Sequence, residues 1–190
     1  GAPLSWGKGP RPWQEAVLVE IGERLDINAV MGWSKPIHIA VASGHGIGKS
    51  ALMAWIKLWA LATFEDSVSM ITANTDQQLR TKTWPQVVKW FNLMTCRHWF
   101  NLTETAIVSR APGHAKTWRG DRVTWNAHNT EAFAGLHNLR KRIVLLFDEA
   151  SAIADSVWEV AEGALTDEGT EIVWVVFGNP TQSSGRSEEH

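Results

Sequence analysis

The stretch Ser43-Gly44-His45-Gly46-Ile47-Gly48-Lys49-Ser50 has residue types and a spacing that suggest chemistry directly. Glycines let the backbone turn tightly and bring successive N–H groups to one side, a geometry that binds anions. A lysine and a hydroxyl residue after the last glycine complete the pattern G-x-x-x-x-G-K-[ST]. In that pattern Lys49 reaches the β- and γ-phosphates of a nucleotide and the Ser50 hydroxyl ligates Mg²⁺. Ser43 stands where the pattern has its first glycine; it is small, and Gly44 beside it supplies the flexibility.

A second feature is the acid pair Asp148-Glu149, which ends the apolar run "RIVLLF". A carboxylate at the carboxyl end of a buried parallel strand lies where open α/β sheets bind their ligands. Asp148 is placed to hold Mg²⁺, and Glu149 to polarise a water for attack on the γ-phosphate. The adjacent second acid points to hydrolysis rather than passive binding. A third feature is "FGNPTQSSGR": Gly178, Asn179 and Pro180 end another apolar run, and a polar group there, Asn179 or Thr181, would sense the nucleotide. From spacing alone, a simple strand-ending turn accounts for it equally well.

These groups need elements to hold them. Val17, Ile21 and Leu25 recur at helical spacing after Pro12, which suits a first turn, and Gly32 suits a stop. "IHIAVA" (37–42) is a short β-favouring run that feeds the glycine loop, and a helix is expected from about Lys49 to Phe64. "VSMITA" (68–73) is a second strand candidate. A helix should begin at Asp76, with Pro85 kinking or dividing it. Between 103 and 134, "ETAIVSRA" and "DRVTWNA" alternate around turn signals and predict antiparallel strands. "RIVLLFDEA" (142–150), an apolar run ending in two acids, and "EIVWVVFGNP" (171–180) read as buried strands, with a short helix in "SVWEVAEGAL" between them. Strands separated by helices predict one α/β domain over 1–190 with a mostly parallel central sheet flanked by helices, and residues 1–11 as an irregular arm.

Composition is consistent with this. The chain has 190 residues, 44% apolar and 20% charged, with a net charge of −2, so no global basic field advertises nucleic acid. The single Cys96 excludes an internal disulfide and fits a reducing compartment. No apolar stretch reaches the ~18–20 residues of a membrane span, and a cytoplasmic protein is expected. Twelve Trp, six Phe and no Tyr read as core and interface packing. The seven histidines show no metal-ligand spacing. "LRKR" (139–142) and "KTWRGDR" (116–122) are local basic clusters, suited equally to a DNA backbone and to solvated loops.

With "ASGHGIGKS", "LLFDEA", "GNPTQSSGR" and the upstream "RPWQ" in this order, the chain resembles the ATPase domain of the large terminase subunit of tailed bacteriophages. That family is a DNA-packaging motor. The resemblance implies a P-loop NTPase of the additional-strand, RecA-like type, with ATP and Mg²⁺ as cofactors. It implies that Gln14 reads the adenine with Trp13 and Pro12 alongside, and that the loop 43–50 binds phosphate. Ser50 and Asp148 would hold the metal, Glu149 would be the catalytic carboxylate, and Gly178-Asn179-Pro180 with Thr181 would be the coupling motif. Many family members carry an arginine in the glycine loop, where this chain has His45. An arginine finger is therefore expected from elsewhere or from a neighbouring subunit, with Arg80 and Arg119 as candidates. The partners implied are double-stranded DNA, a portal protein, a terminase small subunit and further copies in a ring, all in the host cytoplasm on the viral procapsid. The family also carries a nuclease domain after its ATPase domain. This sequence ends ten residues past Pro180 and is read as the motor part alone. The residues themselves leave two alternatives: a related helicase or translocase ATPase, and a nucleotide-binding assembly module with negligible turnover.

Overall fold

The computed structural model describes residues 9–32, 35–42, 44, 46–124, 140–149, 159 and 169–178. Among them, helix α1 (Pro12–Met31) leads to strand β1 (Ile37–Ala42), helix α2 (Lys49–Thr63) and strand β2 (Val68–Ala73). A broken helix follows: α3 (Asp76–Gln78), a π-helical turn (Leu79–Thr83) and α4 (Trp84–Leu93). A 3₁₀ turn (Arg97–Trp99) precedes β3 (Phe100–Leu102), β4 (Ala106–Ser109), β5 (Arg119–Thr124), β6 (Arg142–Phe147) and β7 (Glu171–Gly178). The short helix expected in 156–165 lies outside the described residues.

The strands form one sheet in the order β1-β7-β6-β2-β5-β4-β3. β1, β7, β6, β2 and β5 run parallel; β4 is antiparallel to both β5 and β3. The antiparallel pair expected from the middle of the chain is therefore present, although β3 carried no alternation in the sequence strong enough to announce it. β6 is buried at all six positions. That is why it reads as a continuous apolar run: both faces of a parallel sheet are covered.

On one face, Ile39, Val175, Leu146 and Ile71 line up across four neighbouring strands and pack against Leu52, Met53, Ile56 and Leu61 of α2 and Val17 and Ile21 of α1. Burying each such side chain contributes ~1.5–3 kcal/mol, enough to hold α2 against the sheet and fix the loop at its start. Lys57 is an exception in this apolar stripe. Its ammonium donates to the Ser69 and Asp121 carbonyls at 3.0 Å and to Ser69 Oγ at 3.1 Å, tying α2 to β2 and β5. Burial pulls its pKa down to about 7, with the Asp121 charge opposing and the Arg119 charge adding to that shift. Gly120 makes room for it, since a Cβ there would meet Ser69 Oγ at 2.6 Å and Lys57 Nζ at 2.8 Å.

The division at Pro85 has a physical cause. Proline has no N–H to offer the preceding turn. The helix absorbs this by widening to i→i+5 bonding just before it, where the Trp84 N–H donates to the Leu79 carbonyl.

Candidate functional site

The parallel strands end at one edge of the sheet. Ala42 of β1 pairs with Gly178 of β7, and Phe147 of β6 pairs with both Val176 of β7 and Thr72 of β2. The glycine loop, the Asp148-Glu149 pair and the end of β7 therefore gather on the same edge. β7 lies between β1 and β6. At a strand spacing of about 4.8 Å, the loop strand and the acid strand are about 10 Å apart. A nucleotide's phosphates with a metal fill a gap of that size.

The loop is shaped by its glycines. Gly46 and Gly48 have φ of 74° and 96°, and a Cβ at Gly48 would meet Gln14 Nε2 at 2.8 Å. Lys49 opens α2 and is buried at 9% exposure, and Ser50 follows half-buried. Among the described residues no hydrogen bond or ion pair engages the Lys49 ammonium. Gly44 and Ile47 are described; Ser43 and His45 lie outside the described residues, as do Asn179, Pro180 and Thr181.

Asp148 is buried at 4% exposure, and its N–H donates to the Thr72 carbonyl at 2.9 Å, extending the β2–β6 pairing by one step. Its Oδ2 accepts from Gln78 Nε2 at 3.0 Å and from Thr83 Oγ1 at 3.1 Å. Both donors come from the broken helix after β2. In an α-helix of 3.6 residues per turn, residues five apart lie about 140° apart around the axis. The i→i+5 bonding of the π-turn stacks them instead, and so brings both side chains onto one carboxylate oxygen. This pair went unseen in the sequence; the signal for it was Pro85. The Thr72 hydroxyl nearby is buried with no hydrogen-bond partner among the described residues, as is the Trp13 indole N–H. Glu149 is half-buried with φ 56°, a left-handed conformation that non-glycine residues adopt at a cost.

The first turn of α1 meets the loop from outside. Gln14 is buried at 3% exposure; its Nε2 donates to the Gly48 carbonyl at 2.9 Å and its Oε1 accepts from the Arg11 N–H at 2.8 Å. Arg11 Nη1 donates to the Ile47 carbonyl at 2.8 Å. Thus Gln14 sits beside the loop, with its amide bonded to protein at both ends, whereas Trp13 packs partly buried against the core. Arg11, the first residue of "RPWQ" and one for which no role is expected from sequence, joins Gln14 there.

The two arginine candidates part ways. Arg80 is exposed on the π-turn, two residues from Gln78. Arg119 opens β5, paired in register with Val68 at the start of β2, so it lies at the opposite edge of the sheet, about 17 Å along the strands from Asp148. Its guanidinium is held by both oxygens of Asp121, at 2.6 and 2.7 Å, which raises its pKa above the ordinary value.

Residues 116–121 and 140–142 of the two basic clusters lie at the starts of β5 and β6 and share that opposite edge, while Arg122 lies further along β5, in register with Ile71. Acids answer four of their six cations: Asp121 pairs Arg119, Asp76 pairs Arg122 at 2.9 Å, Asp66 pairs Lys141 at 3.6 Å, and Glu171 pairs Arg142. Asp66 also accepts from Thr117 at 2.7 Å and meets His114 Nδ1 at 2.6 Å, with Glu65 4.0 Å from the same nitrogen. The sequence separates His114 from these acids by nearly fifty positions, so only the fold reveals the cluster. With Lys141 and Thr117 on Asp66, it reads as a structural tie.

A glycine loop after β1, an acid pair after β6 and an additional strand between the two make this a P-loop NTPase fold of the RecA-like type. Comparison with known proteins narrows it. No family model matches the chain. Over 191 residues it is 28% identical to a probable terminase large subunit of Enterobacteria phage P7, covering 97% of this chain and 35% of that protein. The crystal structure of the HK97 bacteriophage large terminase superposes with a TM-score of 0.59 at 15% identity, over 93% of this chain and 34% of that one. The large terminase ATPase domain of Thermus phage P74-26 gives 0.53 at 19% identity, over 93% and 68%. The large terminase of a thermophilic bacteriophage, solved in complex with ADP, gives 0.50 at 14% identity, over 75% and 33%. The resemblance read from the motifs thus holds in sequence and in fold: the chain is similar to phage large terminases and has the fold of their ATPase domains.

Proposed function

We propose that this chain hydrolyses ATP to drive double-stranded viral DNA into a procapsid, as the ATPase part of a terminase large subunit. The observation that carries the reading is the gathering of the glycine loop, Lys49 and the buried Asp148 on one sheet edge, about 10 Å apart. The donor set fits the group: backbone N–H groups and a buried ammonium for phosphates, a hydroxyl and a fixed carboxylate for a hard cation. The orphaned Thr72 hydroxyl near this edge is consistent with a polar ligand there. The similarity to terminases supports the packaging role; the chain spans 35% of the length of the curated relative it matches.

In this reading the loop 43–50 cradles the phosphates and Lys49 neutralises charge that spreads over them during transfer. Ser50 and Asp148 hold Mg²⁺, which supplies Lewis-acid charge stabilisation when bound. Glu149 takes a proton from, and orients, the attacking water. Trp13 and Pro12 stand alongside the base; Gln14, expected to read the adenine, is buried with its amide bonded to Arg11 and Gly48 and acts on the loop instead. Gly178, Asn179, Pro180 and Thr181 couple the nucleotide state to movement. Arg80, beside the turn that holds Asp148, is favoured over Arg119 as a finger acting within the chain; Arg119 would act only on a neighbour's site. The partners are DNA, contacted without sequence readout, a portal protein, a terminase small subunit and further copies of the chain in a ring, in the host cytoplasm.

The test is steady-state ATP hydrolysis by wild type and Glu149→Gln over a range of protein concentrations, with nucleotide binding followed in parallel. Turnover by wild type and tight, unproductive binding by the variant support the reading. Absence of ATP binding by both overturns it.

A further inference from the structure

A loop that binds phosphate must turn its N–H groups inward, and each peptide plane that does so turns a carbonyl outward. Because the peptide is planar and trans, the carbonyl of one residue and the N–H of the next point in opposite directions. Whatever grips the outward carbonyl therefore aims the following N–H. In this chain the outward carbonyls at the end of the loop are gripped from α1. Arg11 Nη1 holds the Ile47 carbonyl at 2.8 Å, which aims the Gly48 N–H. Gln14 Nε2 holds the Gly48 carbonyl at 2.9 Å, which aims the Lys49 N–H.

The grip comes from a rigid base. Arg11 stands between Pro10 and Pro12. A residue before proline is confined to extended or polyproline geometry, and Arg11 has φ −64° and ψ 154°. Pro12 pre-sets the first helical position, the Arg11 carbonyl accepts from the Glu15 N–H at 3.0 Å, and the Arg11 N–H is held by Gln14 Oε1 at 2.8 Å. Little freedom remains except in the arginine side chain itself, and that is spent on the loop. An exposed hydrogen bond of this kind adds little to global stability. Its effect is on the orientation of the Gly48 N–H in a glycine-rich segment; the next peptide is set jointly by Gln14 and by the first bond of α2, from the Leu52 N–H to the Gly48 carbonyl at 3.2 Å.

We propose that Arg11 is a positioning residue for phosphate binding: with Gln14 it forms a brace that presets the last two peptide planes of the loop, so that nucleotide meets a cradle already formed. The consequence for binding rests on the nucleotide reading above; the brace itself does not. The guanidinium acts through the Ile47 peptide, so ADP and ATP should feel its loss alike.

Two measurements on the chain with Arg11→Ala and Arg11→Lys separate these levels. In the first, hydrogen exchange without nucleotide follows the amides of residues 46–50, with those of β6 as internal reference. Faster loop exchange in Arg11→Ala with an unchanged reference, and recovery in Arg11→Lys, supports the brace; unchanged loop exchange overturns it. In the second, ADP and ATP affinities are measured by titration. The expected result is a loss of about tenfold for both nucleotides in Arg11→Ala, largely restored by Arg11→Lys, with turnover at saturation changed much less. Faster exchange with unchanged affinities overturns the role in phosphate binding. So does a loss of turnover with ADP affinity intact, which would make Arg11 a direct phosphate contact. If wild type binds neither nucleotide while the exchange result holds, the brace stands and the ATPase reading falls.

Discussion

Gln78, the last residue of α3, and Thr83, the last residue of the π-helical turn that follows it, donate to the same carboxylate oxygen of Asp148, at 3.0 and 3.1 Å. One oxygen is thereby tied down by protein; if Asp148 holds Mg²⁺ as proposed, these two donors orient a metal-ligating carboxylate. Outer partners that orient a metal-ligating carboxylate typically account for ten- to a hundredfold in metal affinity or activity, by order of magnitude. Thr83→Val and Gln78→Leu should each raise the Mg²⁺ concentration needed for half-maximal hydrolysis by about tenfold, with a smaller change in ADP affinity measured without metal. An unchanged Mg²⁺ dependence would show that the two donors merely satisfy a buried acid.

The left-handed φ of 56° at Glu149 predicts a stability ordering separate from catalysis. Glu149→Gly and Glu149→Ala both remove the carboxylate, and under the proposed role of Glu149 in catalysis both should abolish turnover. Glycine adopts the conformation freely, whereas alanine keeps the strain, so Glu149→Gly should be the more stable of the two by about 1 kcal/mol in urea unfolding. Equal stabilities would mean that the strand end relaxes when the glutamate is replaced.

Lys57 predicts a pH dependence. Its pKa is about 7 in the fold, against 10.5 for an unburied lysine. Between those values the unfolded chain binds more protons than the native one, so this group makes stability rise with pH across about 7 to 10.5. Below pH 7 both states carry the proton and the slope from Lys57 vanishes. Lys57→Met removes the titration and should flatten the stability profile over that window. The change in slope is read by urea midpoints at closely spaced pH values. A slope unchanged in Lys57→Met would assign the ammonium's three acceptors enough strength to keep it charged throughout.

Asp66 makes the opposite limb testable. Burial works to raise its pKa, but hydrogen bonds from His114 and Thr117 and the charges of His114 and Lys141 outweigh it and hold the carboxyl below its ordinary value of 3.8. The associated stability is present above pH 3.8 and is lost as pH falls through the lower native pKa. Asp66→Asn suits the residue's φ of 58° while removing the charge. It should lower stability at pH 7, by about 1 kcal/mol given the partial exposure of the site, and converge with wild type in strong acid.

Much of this architecture was legible in the residue order because it rests on local rules. Glycines followed by Lys49 and Ser50 announce the loop, since few other residues permit its backbone. Continuous apolar runs within 142–150 and 171–180 announce strands covered on both faces, although the runs extend past the strand ends at Phe147 and Gly178, and Pro12 and Gly32 mark the ends of α1. The ends of such strands must lie at a ligand-binding edge, so Asp148 could be named before any coordinates. Pro85 was legible as a break, but its effect was not: the widened turn matters because of what Gln78 and Thr83 face.

Tertiary structure decided which distant residues meet. That Arg11 grips Ile47, that the Gln14 amide spans from Arg11 to Gly48, and that Asp66 gathers His114, Thr117 and Lys141 all depend on how α1 and the strand ends are laid against the sheet. It also sent Arg119 to the edge opposite the loop, bound to Asp121, and left Arg80 beside the turn that holds Asp148. Periodicity and spacing describe what one element presents to its surroundings. Packing and strand order decide which other element stands there to receive it.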